Sequence, residues 1–131
     1  MTGLDTNVLV RYIMQDDVQQ ARLASELIET LTIDKPGFIP LVAVVELVWV
    51  LLSSFELTRS QVVQALEVLL RTKEIQVENA ATVWRAVRVY KSSPADFADC
   101  LIERSAAAAG CTRTMSFDRG AVMHCTMTLI G

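Results

Sequence analysis

Short segments of strand-like composition alternate with longer segments of helical spacing along the chain, and this alternation restricts the fold more than any other feature. The strand candidates are residues 2–5, 38–39, 75–77, 113–116 and 127–130. Strands that are separated by helices pair in parallel, and a parallel sheet is covered by helices on both faces. We therefore predict an α/β fold of three layers, α/β/α, around a short and mostly parallel central sheet of about five strands.

Apolar residues at helical steps, together with capping residues, define six helices. They are predicted over residues 6–14, 18–31, 41–55, 59–72, 80–91 and 94–109. Thr58 and Gln61 have the spacing of a capping box, and Asn79 is expected to cap the fifth helix. Ser93 and Asp96 have the same spacing before the sixth helix, with proline at the first helical position.

The composition is that of one folded domain. The chain has 131 residues, of which 52% are apolar and 21% charged, so a disordered chain is excluded and residues 1–131 are expected to form a single domain. The longest apolar stretch, residues 38–52, is interrupted by Pro40 and Glu46 and falls short of the ~20 residues that span a membrane. Three cysteines without a C-x-x-C pair, and no visible signal peptide, lead us to expect a reducing, cytoplasmic setting.

Glu46 is the acidic residue most in need of explanation. It lies in the apolar run of residues 41–52, where its helical neighbours three and four positions away are all apolar. A buried carboxylate without a partner is energetically costly or has a raised pKa. An ion pair with a cation such as Arg11 is the structural interpretation, and a place in a hydrated functional site is the favoured one.

Three aspartates also stand where α/β folds bind ligands. Asp5 ends one strand candidate and Asp118 follows another, and ligands bind at the carboxyl ends of parallel strands. The structural alternatives are an N-cap for Asp5 and a turn residue for Asp118. Asp99 lies one turn beyond Asp96 in its helix, and its structural alternative is a favourable interaction with the helix dipole.

These four acids make chemical sense as a group. Clustered carboxylates repel one another, so a cluster that stays ionised at neutral pH needs a cation. Oxygen ligands without histidine or cysteine favour Mg²⁺ or Mn²⁺ over Zn²⁺. The sequence therefore predicts a Mg²⁺ or Mn²⁺ site that is built from Asp5, Glu46, Asp99 and Asp118.

Four segments, taken in order, resemble the motifs of one enzyme family. GLDTNVLVRY at residues 3–12, VELVWVL at 45–51, DFADCLI at 96–102 and SFDR at 116–119 are similar to segments of PIN-domain ribonucleases, and they keep the order Asp, Glu, Asp, Asp. The match covers nearly the whole chain, and the closest similarity is to VapC-type toxins of type II toxin–antitoxin systems. The resemblance implies a single PIN domain over residues 1–131.

The resemblance also implies roles for individual residues. Asp5 and Asp99 are the expected direct metal ligands, and Glu46 and Asp118 are expected to hold waters of the ion or a second ion. Arg11, just beyond the Asp5-Thr6-Asn7 turn, is expected to contact RNA. The polar residues expected to support the site are Thr6, Asn7, Asp96 and Ser116. The chain departs from its relatives at residues 124–127, where they usually have a glycine before the last strand.

The implied activity is that of a metal-dependent endoribonuclease that hydrolyses phosphodiester bonds in translation-related RNA such as tRNA or rRNA. A divalent cation lowers the pKa of water and so makes it a better nucleophile. The net charge of −3 is compatible with an RNA substrate, because removing four site acids from 15 leaves 11 against 12 Lys and Arg. The implied partners are a neutralising VapB-like antitoxin and a second copy of the chain, in the bacterial cytoplasm and away from membranes.

Two other function classes require residues that this chain lacks. A phosphate-accepting receiver domain needs a lysine after a late strand, and none follows Lys91. A haloacid-dehalogenase-type phosphatase would carry a second aspartate where this chain has Asn7. The alternative that stays open is a catalytically silent PIN-like module that binds RNA or a protein, although only 6% of residues are aromatic and no aromatic platform for RNA stands out.

Overall fold

The computed structural model describes residues 1–131 as two compact units, Met1–Glu78 and Asn79–Gly131. Strands and helices alternate as predicted. The first unit contains β1 (Thr2–Gly3), α1 (Thr6–Met14), α2 (Val18–Glu29), β2 (Gly37–Ile39), α3 (Leu41–Ser53), α4 (Arg59–Arg71) and β3 (Ile75–Val77). The second contains α5 (Ala80–Ser92), α6 (Phe97–Ala108), β4 (Met115–Ser116), α7 (Arg119–Cys125) and β5 (Thr128–Leu129). No helix combines the length and the apolar character that a membrane crossing requires.

Every strand pair is parallel, which confirms the predicted α/β class. The strands number five, as expected, but their hydrogen bonds form two sheets, of order β1–β2–β3 in the first unit and β4–β5 in the second. The prediction of one central sheet of about five strands is corrected in this respect. Strands of two or three residues make few hydrogen bonds each, and the strands of each unit pair with one another.

The packing of α3 determines where its only acidic side chain points. Its buried residues recur three and four positions apart, and they are Ala43, Val44, Leu47, Val48 and Leu51. Glu46 therefore lies on the opposite face, where it is exposed together with Val42 and Trp49. Pro40 provides no side-chain cap for this helix, and the carboxylate of Glu78 accepts a hydrogen bond from the backbone N–H of Leu41 instead, at 2.7 Å.

In the second unit, α5 packs on α6, and α7 contacts α6, β4 and β5. The rings of Tyr90 and Phe97 meet edge to face, with centroids 5.6 Å apart, and join the end of α5 to the start of α6. The helix α7 was not predicted from the sequence. Seven residues offer too short a periodic pattern for detection, and the run around Asp118 indicated only a turn.

Helix ends confirm one predicted cap and correct two others. The Thr58–Gln61 capping box is present with both of its hydrogen bonds. Asn79 precedes α5 but makes no side-chain cap bond, because its backbone is left-handed, with φ of 51°. The sixth helix begins at Phe97 rather than at residue 94, since the Asp96 carboxylate accepts from the Asp99 N–H at 3.1 Å while Ser93 donates back to the carbonyl of Val89.

Thr126, just before the last strand, has a strained backbone conformation. Thr126 follows α7 as its C-cap and adopts a left-handed backbone, with φ of 56°. This conformation is costly for a β-branched residue and accessible to glycine. The position is therefore one where the backbone favours glycine.

Replacing Thr126 with glycine is expected to raise the free energy of unfolding by about 1 kcal/mol, because the left-handed strain is removed. Urea unfolding followed by circular dichroism measures the change. Thr126→Ala is the matched control, since it removes the same γ atoms but keeps a Cβ atom in the left-handed region. Equal stabilities of the two variants would contradict this account.

Candidate active site

Asp5 lies directly after β1 and caps α1. The backbone N–H of Leu4 donates to the carbonyl of Phe38 at 2.8 Å, which continues the β1–β2 pairing up to this aspartate. Its Oδ1 accepts from the N–H of Val8 at 3.1 Å, so the expected N-cap is confirmed. The side chain is nevertheless exposed, and the bond engages only one carboxylate oxygen. Capping and a role in a site are therefore compatible.

Glu46 faces the same cleft as Asp5. The cleft is open, has a volume of about 430 Å³, and is lined by Gly3, Leu4, Asp5, Thr6, Pro40, Val42, Ala43 and Glu46. The hydroxyl of Thr6, a buried residue in the first turn of α1, donates to Oε1 of Glu46. Two carboxylates and one hydroxyl thus converge on one concave surface of the first unit.

The alternative interpretation of Glu46, an ion pair with Arg11, is wrong. Arg11 pairs with Asp16 at 3.0 Å and donates through Nε to Gln20 at 2.6 Å. It also lines a separate groove between α1 and α2, together with Asn7. Of the two expected supporting residues of this unit, Thr6 therefore contacts a proposed site acid, whereas Asn7 lines the neighbouring groove. Arg11, the expected RNA contact, lines that groove as well.

Asp99 is the acid with the most perturbed environment. It lies half-buried in the first turn of α6, and Asp96 caps that helix. Burial of the carboxyl group is the main cause of the raised pKa of Asp99. The negative charges of Asp96 and Asp118 raise this pKa further. These three carboxyl groups of the second unit are therefore close enough to repel one another, and a nearby cation would relieve that repulsion.

Asp118 is held rigidly at the start of α7. Its Oδ1 accepts from the N–H of Gly120 at 2.7 Å and from that of Ala121 at 3.2 Å. Its own N–H donates to the hydroxyl of Ser116 at 2.9 Å. The turn predicted around Asp118 is thus the N-terminus of a helix, and the Ser116 hydroxyl helps to hold the backbone of this aspartate.

The candidate ligand atoms are of the chemical type that a hard divalent cation prefers. The proposed ligands are all carboxylates, and carboxylate oxygens suit Mg²⁺ and Mn²⁺. Neither unit by itself gathers three or more His, Cys, Asp or Glu side chains into a group that could hold a metal ion. The first unit supplies Asp5 and Glu46, and the second supplies Asp99 and Asp118 with Asp96 nearby.

One exposed residue beside the acids was missed in the sequence. Phe117, between Ser116 and Asp118, has 77% of its surface exposed. The signal was an aromatic residue inside a run of turn-forming residues, where a side chain that belongs to the core is not expected.

Replacing Asp99 with asparagine is expected to stabilise the metal-free protein at neutral pH. A carboxyl whose pKa is raised on folding makes the folded state less stable as the pH rises from the unfolded pKa through the folded one. The gain in melting temperature of Asp99→Asn, measured in EDTA, should therefore disappear at acidic pH, where the carboxyl is protonated in both states. Asp34→Asn, on an exposed loop, is the charge-matched control and should show no such pH-dependent gain. A variant that melts below the wild type at neutral pH in EDTA would contradict the repulsion.

Comparison with known protein families matches residues 4–122 to the PIN domain. No curated protein matches the chain. The matched range covers most of the 131 residues and includes the four acids Asp5, Glu46, Asp99 and Asp118. It extends over both compact units, whose parallel strands and helices give the α/β architecture described above. The chain therefore belongs to the PIN domain family.

Proposed function

We propose that the protein is a Mg²⁺- or Mn²⁺-dependent endoribonuclease that hydrolyses phosphodiester bonds of translation-related RNA such as tRNA or rRNA. PIN domains are generally nucleases, and they usually depend on magnesium. The observation that carries the proposal is the cleft of the first unit, which both Asp5 and Glu46 line and where Thr6 donates a hydrogen bond to Glu46. A pair of carboxylates in an open cleft has no role in core packing, so a ligand is its best explanation.

The proposed catalytic set is Asp5, Glu46, Asp99 and Asp118. Asp5 and Asp99 are the proposed direct ligands of the cation, and Glu46 and Asp118 are proposed to hold its surrounding waters. A bound Mg²⁺ or Mn²⁺ ion supplies Lewis-acid chemistry: it lowers the pKa of water and offsets negative charge on the phosphoryl group. The Thr6 hydroxyl orients Glu46, which in this scheme accepts the proton of the attacking water. Attack by water on phosphorus forms a new P–O bond and breaks the bond to the 3′-oxygen, which leaves as a hydroxyl after taking up a proton. The products carry a 5′-phosphate and a 3′-hydroxyl, as the family resemblance implies.

The amide variants Asp5→Asn and Glu46→Gln are expected to lower metal-dependent cleavage by more than about 100-fold, since each removes a charge from the cation site while keeping the side-chain shape. Thr6→Val should cost about 10-fold, because Glu46 would lose its orienting hydrogen bond. Purified protein incubated with total RNA, with Mg²⁺, Mn²⁺ or EDTA, provides the assay, and sequencing of fragment ends identifies the substrate.

Asp34→Asn is the matched control for this assay, because it makes the same charge change on an exposed loop of the same unit. It should cleave like the wild type. Cleavage that persists in EDTA, or in Asp5→Asn, would contradict the proposed chemistry. RNA binding without cleavage by the folded chain would instead support the catalytically silent PIN-like module.

We also propose that residues 1–131 act as a single PIN domain, as a homodimer in the bacterial cytoplasm, and as the toxin of a VapC-type pair with a VapB-like antitoxin. The apolar groove between α1 and α2 is the observation that supports docking of an antitoxin helix on this surface. It has a volume of about 250 Å³, and its apolar lining includes Val8, Leu23 and Leu27. Leu23 is exposed, as expected of a surface that a helical partner covers.

Expression of the chain in bacteria is expected to arrest growth, and Asp5→Asn is expected not to. Co-expression of the protein encoded by the neighbouring gene should restore growth. Leu23→Glu should keep the growth arrest but escape the rescue, because a charge in the groove opposes apolar docking. Full rescue of Leu23→Glu would place the antitoxin elsewhere, and absence of arrest by a folded, RNA-cleaving chain would contradict the toxin role.

A further inference from the structure

We propose that Phe117 forms a stacking subsite for one unpaired base of the RNA substrate, and that Arg119 beside it contacts the adjoining phosphate. The inference rests on the proposed RNA-directed activity and narrows its substrate to RNA that is single-stranded at the site. Neither residue belongs to the proposed catalytic set.

Phe117 is unusual because a large aromatic side chain is 77% exposed on a rigid backbone. On one side, the carbonyl of Ser116 accepts from the N–H of Ile130 at 2.9 Å in the β4–β5 pair. On the other side, Asp118 is tied to Ser116 and to the first turn of α7 by its hydrogen bonds. Because the backbone at Phe117 is already held in place, only the rotation of the side chain itself is lost when the ring binds a ligand, and its apolar face is well suited to recognition.

The neighbours of Phe117 specify what kind of ligand the ring would meet. Arg119 is exposed at the first position of α7, and Arg113, just before β4, is exposed as well. Exposed aromatic rings and basic side chains together bind single-stranded nucleic acid, through base stacking and phosphate contacts. Trp49 is also exposed, but it lies on the face of α3 that carries Glu46, and α3 contains no arginine beside it.

The position of Asp118 links this subsite to the reaction. Phe117, Asp118 and Arg119 are consecutive residues whose neighbouring Cα atoms are about 3.8 Å apart, so the subsite adjoins one of the proposed catalytic acids. Base stacking would thus orient a phosphodiester bond at one of the proposed catalytic acids. A base inside a duplex cannot offer its face, and the subsite therefore selects loops, bulges and ends.

The test measures binding of a short unstructured RNA, labelled with a fluorophore, in EDTA so that no cleavage occurs. Fluorescence anisotropy should show that Phe117→Ala weakens binding by about 5- to 100-fold, the effect of losing one stacked base. Phe117→Trp should restore it, and Phe117→Leu should not, because leucine keeps apolar surface but has no ring. Met123→Ala, which removes another apolar side chain that is 75% exposed in the same unit, should bind like the wild type.

A charge variant tests the phosphate contact independently. Arg119→Gln should weaken binding. It should also make the plot of log K against log salt concentration less steep by about 0.7, the value for one phosphate contact with a single strand. Phe117→Ala should leave that slope unchanged. Melting temperatures of all variants should equal that of the wild type, because these side chains are exposed.

Several results would overturn the inference. They are wild-type affinity of Phe117→Ala, restored affinity in Phe117→Leu, or failure of the wild-type chain to bind unstructured RNA. None of these decides the proposed function, which depends on cleavage in Mg²⁺ or Mn²⁺. Conversely, RNA binding through Phe117 without any cleavage would leave the subsite intact and refute the ribonuclease.

Discussion

The hydrogen bond from a helix N-terminus to an aspartate carboxylate is the interaction on which the rest of this structure depends. Asp5, Asp96 and Asp118 cap α1, α6 and α7, and in each case the Oδ1 atom accepts from backbone N–H groups. The bond fixes the angle at which the chain enters the helix, and the helix dipole stabilises the negative charge. One interaction therefore determines both the local fold and the position of the acids.

An aspartate that caps a helix can also take part in a functional site. A cap bond engages one oxygen of a carboxylate, and the exposed side chains of Asp5 and Asp118 remain accessible to a ligand. Asp99 differs, because it does not cap its helix and lies half-buried beside two like charges that raise its pKa. That unfavourable placement is what a cation site would compensate, and strain of this kind is concentrated at functional sites.

The apolar helix α3 and the Ser116–Arg119 turn also hold exposed side chains on a well-defined backbone. In α3, one face is buried in the first unit while the opposite face presents Glu46 to an open cleft. In the turn, hydrogen bonds on both sides of Phe117 hold an aromatic ring away from the core. Each element combines a rigid backbone with an exposed side chain of specific chemistry, which is the property that a binding or catalytic surface needs.

The sequence by itself determined the α/β class, most helix bounds, the Thr58–Gln61 capping box and the order of the four acids, because periodicity and capping are local properties that neighbouring residues encode. Only the tertiary structure decided that Glu46 binds Thr6 rather than Arg11, that the five strands form two sheets, and that Phe117 is exposed. The short helix α7 was also identified only in the tertiary structure. These features arise from contacts between residues far apart in the chain, or from burial by distant segments, and neither leaves a periodic pattern in the sequence.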